Sequence, residues 1–139
     1  MIYILENEYG INIFASNSVP IGYANTSGPI GYANTSRIHD NVFYFNRLFV
    51  QPEFRNKGYA TEMLKTLLKK FKEKHYVLYL DINPYGDLNY EELETFYMKH
   101  GFKKYKVHNK IIGNFYTTYY FNREEMENEG NKYWQQICS

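Results

Sequence analysis

Residues 48–60 read Leu48-Phe49-Val50-Gln51-Pro52-Glu53-Phe54-Arg55-Asn56-Lys57-Gly58-Tyr59-Ala60. An apolar, strand-like start runs into a basic turn containing Gly58, and a helical pattern follows at once. From Ala60 the apolar residues Met63, Leu64, Leu67, Leu68 and Phe71 recur every three or four positions, which predicts an amphipathic helix over 58–74 with one buried stripe. Lys65, Lys69, Lys70, Lys72 and Lys74 fall on its wet face or near the edge and read as a solvated face rather than a binding patch. A glycine-containing turn that opens a helix offers backbone N–H groups and the positive end of the helix dipole to one bound anion. Arg55 and Lys57 add positive side chains at the same place.

Downstream, 76–82 (Tyr-Val-Leu-Tyr-Leu-Asp-Ile) reads as a central strand. Residues 90–100 read as a short helix closed by Gly101, with Phe102 beginning the next strand. Two stretches now carry a resemblance. Arg55-x-x-Gly58-x-Ala60 resembles the pyrophosphate-binding signature of the GNAT acetyltransferase superfamily. The ending Phe96-Tyr97-x-x-His100-Gly101-Phe102 resembles its second signature, in the right order and separated by the right strand. The resemblance covers residues 41–105. It implies an α/β fold of GNAT type, a mixed and strongly twisted central sheet flanked by helices, with acetyl-coenzyme A as cosubstrate.

The same resemblance assigns expected roles. Phe49 and Val50 offer backbone groups to the acetyl carbonyl and the pantetheine arm, which pairs with the strand edge as an added strand. Gln51 begins the loop. Arg55, Asn56, Lys57, Gly58, Tyr59 and Ala60 wrap the pyrophosphate, and Thr61 donates from the first helical turn. Asn89 takes the part of the family's asparagine before the second helix, although residues 84–90 form a longer loop than the family's usual one. Tyr97 matches the tyrosine that serves as general acid. A phenol near pKa ~10 can protonate a thiolate near pKa ~8.5 only when positioned for it. The alternative for Tyr97 is simple packing beside Phe96. Leu80-Asp81-Ile82 resembles the Leu-Glu-Val of N-terminal protein acetyltransferases, so Asp81 is the candidate base, one methylene shorter than glutamate and in need of a water bridge. Its alternative is a polar residue at a strand end. Tyr44, Asn46 and His39 are weaker candidates. The 4 His and 1 Cys show no ligand spacing, which predicts no metal site.

Composition bounds the rest. A chain of 139 residues is one domain by length, here 1–139 with 122–139 as a polar tail carrying a short helix around Tyr133-Trp134. A formal charge of +1 argues against a general nucleic-acid binder. The lone Cys138 cannot pair within the chain, and the natural setting is cytoplasmic. No apolar run is long enough for a membrane span, and no signal peptide is recognisable. Strands are expected at 2–5, 11–15, 21–26, 30–35, 42–51, 76–82, 102–107 and 115–121, with a parallel pair across the helix at 58–74.

Residues 20–36 hold a tandem duplication. Pro20-Ile21-Gly22-Tyr23-Ala24-Asn25-Thr26-Ser27 is followed, after Gly28, by an identical octapeptide starting at Pro29. The spacing is odd and strand side chains alternate, so both copies cannot continue one strand with the same face inward without a bulge. One copy is expected in the sheet and the other outside it. A second departure lies at 2–15, where only a turn separates the first two strands and the two helices usual in the family are absent. The acceptor side is therefore expected to be open unless the tail, the duplicated arm or a second subunit, as in a homodimer, covers it. These readings together describe an N-acetyltransferase that moves an acetyl group from acetyl-coenzyme A to a primary amine of a protein or peptide. The alternatives are a small-molecule amine acceptor, such as a polyamine or amino-sugar, and a non-catalytic acyl-coenzyme A-binding module.

Overall fold

The computed structural model describes residues 2–16, 30–84, 86–109, 111 and 113–128. Strands β1 (Ile2–Asn7), β2 (Gly10–Ala15), β3 (Gly31–His39), β4 (Val42–Val50), β5 (Val77–Leu80), β6 (Lys103–Asn109) and β7 (Asn114–Phe121) form one sheet in the order β1-β2-β3-β4-β5-β7-β6. Helices α1 (Tyr59–Lys74), α2 (Tyr90–Lys99) and α3 (Glu124–Asn128) complete the described fold. All neighbouring strands are antiparallel except β4 and β5, which α1 connects in parallel.

The alternating side chains of β2 to β5 send Ile11, Ile13, Ala33, Phe43, Phe45, Leu78 and Leu80 to one face. There they meet the stripe Met63, Leu64, Leu67, Leu68 and Phe71 of α1, all buried. Burying an aliphatic or aromatic side chain of this kind contributes about 1.5–3 kcal/mol each, so this stripe is what holds α1 on the sheet. Tyr97 of α2 joins the same core. On the opposite face Val42, Val77 and Tyr120 pack under Met126 of α3.

β1 and β2 are joined by a tight turn in which Asn7 Oδ1 accepts from the Tyr9 and Gly10 N–H groups, in line with the expectation for 2–15. The second copy of the repeat supplies the N-terminal part of β3; the first copy, with its expected strand at 21–26, lies outside the described residues. Register shifts interrupt the β3–β4 pairing at Asn34/Thr35 and again at Arg37/His39, each of the kind that an extra residue on one strand produces. Gly31 is required where it stands, because a Cβ there would lie 2.4 Å from the Phe49 carbonyl oxygen.

One boundary moves. The chain was expected to become a polar tail at residue 122. Instead Asn122 is buried and its side-chain amide donates to the Tyr76 carbonyl at 2.9 Å, and Met126 is 5% exposed. The apolar patch around Val42 and Val77 needs cover, and α3 supplies part of it. The helix expected near Tyr133-Trp134 lies outside the described residues. Among the described residues, no helix is long and apolar enough to cross a membrane.

Candidate active site

β4 and β5 pair over only three positions, Val42 with Val77, Phe43 with Leu78 and Tyr44 with Tyr79. β5 ends at Leu80 whereas β4 runs on to Val50, so the sheet opens into a cleft of about 340 Å³ between them. Past the last paired position, one edge of β4 has no strand beside it. The Gln51 N–H donates to the Ile30 carbonyl at 2.8 Å, and strand alternation then turns the backbone groups of Val50 away from β3. The Val50 carbonyl accepts from Arg55 Nε at 2.8 Å, which confirms its direction. Phe49 was expected to share this role through its backbone. It lines the cleft, but its carbonyl oxygen points toward Gly31 of β3. Alternation gives the open edge to Leu48 and Val50.

The loop between β4 and α1 closes one end of the cleft. A 3-10 turn at Pro52–Phe54 leads to Arg55, and the backbone then takes positive φ at Asn56 (64°) and Gly58 (89°). Gly58 is the N-cap of α1, and its carbonyl accepts from the Glu62 N–H at 3.0 Å. No side chain caps this helix start. The N–H groups of Tyr59, Ala60 and Thr61 therefore have no intrahelical acceptor and carry the positive end of the helix dipole. These three residues, with Asn56 and Gly58, line the cleft. Such an arrangement can hold an anion through backbone donors.

The two basic side chains behave differently from expectation. The Arg55 guanidinium is engaged twice, by the Val50 carbonyl and by Asp87 Oδ2 at 2.8 Å. Lys57 does not line the cleft; its ammonium sits 5.6 Å from the centre of the Phe54 ring. Gln51 also lies outside the lining, with its backbone spent on β3. Asn89 is the N-cap of α2: its Oδ1 accepts from the Glu92 N–H at 2.8 Å, and Glu92 Oε1 accepts from the Asn89 N–H at 3.1 Å. This capping box holds the Asn89 side chain at the helix start and outside the cleft lining, because Glu92 stands three residues on.

α2 presents Tyr97 to the cleft from below. The residue is 9% exposed and packs edge-on against Phe45 and Phe102. A C-terminal clamp fixes its backbone: the Phe102 N–H donates to the Tyr97 carbonyl and the Gly101 N–H to the Met98 carbonyl, with Gly101 at φ 101°. That is a Schellman motif, and the Tyr97–Phe102 ring contact is the apolar pair that accompanies it. The glycine-phenylalanine ending of α2 thus sets where Tyr97 stands. Nearby, the buried Tyr119 hydroxyl donates to Glu94 Oε2 and lies 2.7 Å from the Tyr90 hydroxyl, tying α2 to β7.

Asp81 follows β5 at the cleft's other wall. The Tyr44 hydroxyl donates to its Oδ2 at 3.5 Å. Partial burial pushes the Asp81 carboxyl above the usual carboxylate range, against the opposing hydrogen bonds from Thr118 and Tyr44. Burial and the neighbouring carboxylate push the Tyr44 phenol up as well. Tyr44 and Asp81 also line a second cavity of about 320 Å³ on the opposite face of the sheet, together with Ile38, Tyr79, Tyr116, Thr118 and Tyr120. The two cavities therefore meet at the Tyr44–Asp81 pair. In the sequence Tyr44 stands only among the weaker candidates, and the other tyrosines of this cavity carry no expected role. The period-two spacing of Tyr116, Thr118 and Tyr120, and of Tyr79 and Asp81, was the signal available. Among the described residues, no three His, Cys, Asp or Glu side chains gather as a metal site.

Comparison with known proteins places this architecture. The model of the acetyltransferase (GNAT) domain family matches residues 15–104. No curated protein matches the chain. Solved structures share the fold. The ribosomal-protein-S18-alanine N-acetyltransferase from Escherichia coli aligns over 84% of this chain and 70% of its own, with 14% identity and a TM-score of 0.60. A GNAT-family acetyltransferase from Staphylococcus aureus aligns over 81% and 66%, with 20% identity and a TM-score of 0.54. A Bacillus anthracis protein solved in complex with acetyl coenzyme A aligns over 84% and 64%, with 14% identity and a TM-score of 0.57. At these identities the likeness is one of fold. The family match covers well over half of the chain, and with it the cleft, the helix start and α2: the chain belongs to the GNAT acetyltransferases, acyltransferases whose acetyl donor is acetyl-coenzyme A.

Proposed function

We propose that this chain acetylates a primary amine carried by a protein or peptide, with Tyr97 as general acid and Asp81 as general base. The observation that carries the reading is the meeting of two cavities at Asp81, one from each face of the sheet. Acetyl-coenzyme A fits the cleft, its pyrophosphate at the start of α1 and its pantetheine amides along the open edge of β4 at Leu48 and Val50. Gly58, Tyr59, Ala60 and Thr61 supply the backbone donors there. Arg55 and Lys57 supply charge from beside the site.

The chemistry then needs a base for the acceptor, an acid for the leaving thiolate, and a route for the last nitrogen proton. Asp81 takes a proton from the acceptor ammonium, directly or through water. The freed amine nitrogen attacks the acetyl carbonyl carbon, and a tetrahedral intermediate forms. Its collapse breaks the C–S bond, the departing thiolate takes the proton of the Tyr97 hydroxyl, and the second proton of the attacking nitrogen returns, through water, to the Tyr97 phenolate, leaving a neutral amide. A carboxylate held above its ordinary pKa is the stronger base, which suits Asp81 to the first step.

The tight β1–β2 turn supports a macromolecular acceptor, since the helices that wall the site in relatives are not present between those strands. The low net charge and single cysteine support a cytoplasmic enzyme with no nucleic-acid partner. A homodimer is a reasonable arrangement for covering the open side. The deciding test is release of free coenzyme A thiol from acetyl-coenzyme A in the presence of peptide amines. Release that depends on amine and on Asp81 supports the reading. Tight coenzyme binding with no turnover on any amine would make the chain a binding module.

A further inference from the structure

The face of the sheet opposite α1 and α2 carries a row of aromatic rings that leads to Asp81. Tyr44 and Tyr79 lie side by side at 5.0 Å between ring centres, and Tyr79 and Tyr120 at 5.6 Å. Tyr116 stands further along β7 on the same face, and Ile38 of β3 closes the other side. The rings form a trough with one carboxylate, Asp81, among its lining residues. Thr118 Oγ1 at its base donates to the Leu80 carbonyl at 3.2 Å.

Tyrosine faces are electron-rich and attract cations, and their carbon frames accept methylene groups. The molecule demonstrates the preference on the same face: the Arg123 guanidinium sits 4.5 Å from the Tyr105 ring centre and 5.5 Å from that of Tyr120. Arg123 marks one end of the tyrosine surface as positive, and Asp81 marks the other as negative. A cation entering the trough is therefore drawn toward Asp81 and repelled from the Arg123 end.

We propose that this trough is the acceptor site and that it selects an unbranched primary alkylammonium, a lysine side chain or a free alkylamine, whose charged nitrogen lies against the Tyr79 and Tyr116 rings beside Asp81 while its methylene stem runs along the trough. The proposal rests on the acetyltransferase reading above for the direction of approach. A terminal α-amine fits less well, because its adjacent peptide group brings polar atoms against rings and an isoleucine.

The test separates the site from the reaction. The probe is n-pentyltrimethylammonium, which cannot be acetylated, with n-pentanol as its neutral counterpart, titrated by calorimetry into the full chain saturated with coenzyme A. The cation is expected to bind and the alcohol not. Tyr79→Leu and Tyr116→Leu should each weaken the cation by about tenfold, whereas the Tyr→Phe changes at both positions should retain most of the binding. Coenzyme A affinity reports that each variant is folded, and Tyr116, 42% exposed, tolerates substitution even if Tyr79 does not. In turnover assays a capped lysine peptide and n-pentylamine distinguish the two sources of alkylammonium, and the KM for either should rise in the leucine variants while the KM for acetyl-coenzyme A stays. No cation binding, equal binding in the leucine variants, or preference for peptide α-amines would overturn the proposal. Cation binding that obeys these rules in a chain that acetylates no amine would leave the site standing and remove the transferase reading.

Discussion

Arg55 Nη1 donates to Asp87 Oδ2 at 2.8 Å, an ion pair that joins the loop opening α1 to the loop preceding α2 across the cleft. Both residues line the cavity, and Asp87 is the more exposed partner. A half-exposed pair of this kind contributes about 1 kcal/mol or less to stability. Its larger effect is on charge, because the carboxylate neutralises the arginine that a pyrophosphate would otherwise meet. Asp87→Asn should therefore tighten coenzyme A binding severalfold and make it more salt-sensitive, while Arg55→Ala weakens it. Calorimetry at low and moderate salt checks both. Weaker binding in Asp87→Asn would mean that the pair shapes the mouth instead of competing with the ligand.

Gly58 separates backbone strain from charge. Its φ of 89° suits glycine, yet a Cβ there would meet no atom within 4 Å. Gly58→Ala should cost about 1 kcal/mol of stability, through strain alone. Gly58→Glu carries the same strain and adds a negative charge at the anion end of α1. The glutamate variant should lose far more coenzyme A affinity than the alanine variant at similar thermal stability. Equal affinities in the two would place the pyrophosphate elsewhere.

Tyr97→Phe deletes a hydroxyl and keeps the ring that packs against Phe45 and Phe102. Coenzyme A affinity and melting temperature should hold, and turnover should fall about 10²-fold, the usual scale for loss of a general acid. Steady-state rates with a peptide amine measure it. Unchanged turnover would make Tyr97 a packing residue.

Asp81 gives a pH signature of known sign. Its carboxyl titrates above the ordinary carboxylate range because burial disfavours the charge. As base it must be ionised, so kcat/KM should fall on the acid side at a pH above that of an unperturbed aspartate, and Asp81→Asn should abolish that limb along with most of the activity. Stability follows the same shift. A carboxyl whose pKa is raised on folding favours the fold while both states are protonated, and that favour is lost as pH rises through the folded pKa. Asp81→Asn should thus be as stable as the parent or more so at neutral pH, with the difference vanishing in acid. Thermal melts across pH provide the check.

These residues also mark how far the sequence could be read. The α1 stripe was legible because a helix writes its buried face at a fixed local spacing, and so was the end of α2, where Gly101 and Phe102 follow Tyr97 closely enough to form the clamp. Asn89 carries two signals: the family resemblance points it toward the ligand, while Glu92 three residues on makes it the cap of α2, as local a signal as any. Phe49 and Val50 were read as a pair, although strand alternation allows only one of two neighbours to face the open edge. The Arg55–Asp87 pair and the tyrosine trough were not legible. They join residues that are far apart in the chain, the ion pair across the cleft between β4 and β5 and the trough because β7 lies beside β5.

The duplication offers the last test. β3 uses the second copy, and the Ile30 N–H donates to the Ala15 carbonyl at 2.7 Å, so the two ends of the connection between β2 and β3 lie side by side. Deleting residues 20–28 joins Val19 to Pro29 and leaves every residue of β2, β3 and β4 in place. The connection then shortens to Ser16, Asn17, Ser18, Val19, Pro29 and Ile30, a short link between strand ends that already touch. Gly31 keeps its required position against the Phe49 carbonyl oxygen. Because closing a shorter connection costs less entropy, the deleted form should fold, bind coenzyme A as the parent does, and melt at the same temperature or higher. A change in oligomeric state by light scattering, or in acceptor preference with coenzyme A affinity untouched, would assign the first copy a role at the open side of the site. Failure of the deleted form to fold would mean that the first copy is part of the sheet's support, and that β3 cannot stand on one copy alone.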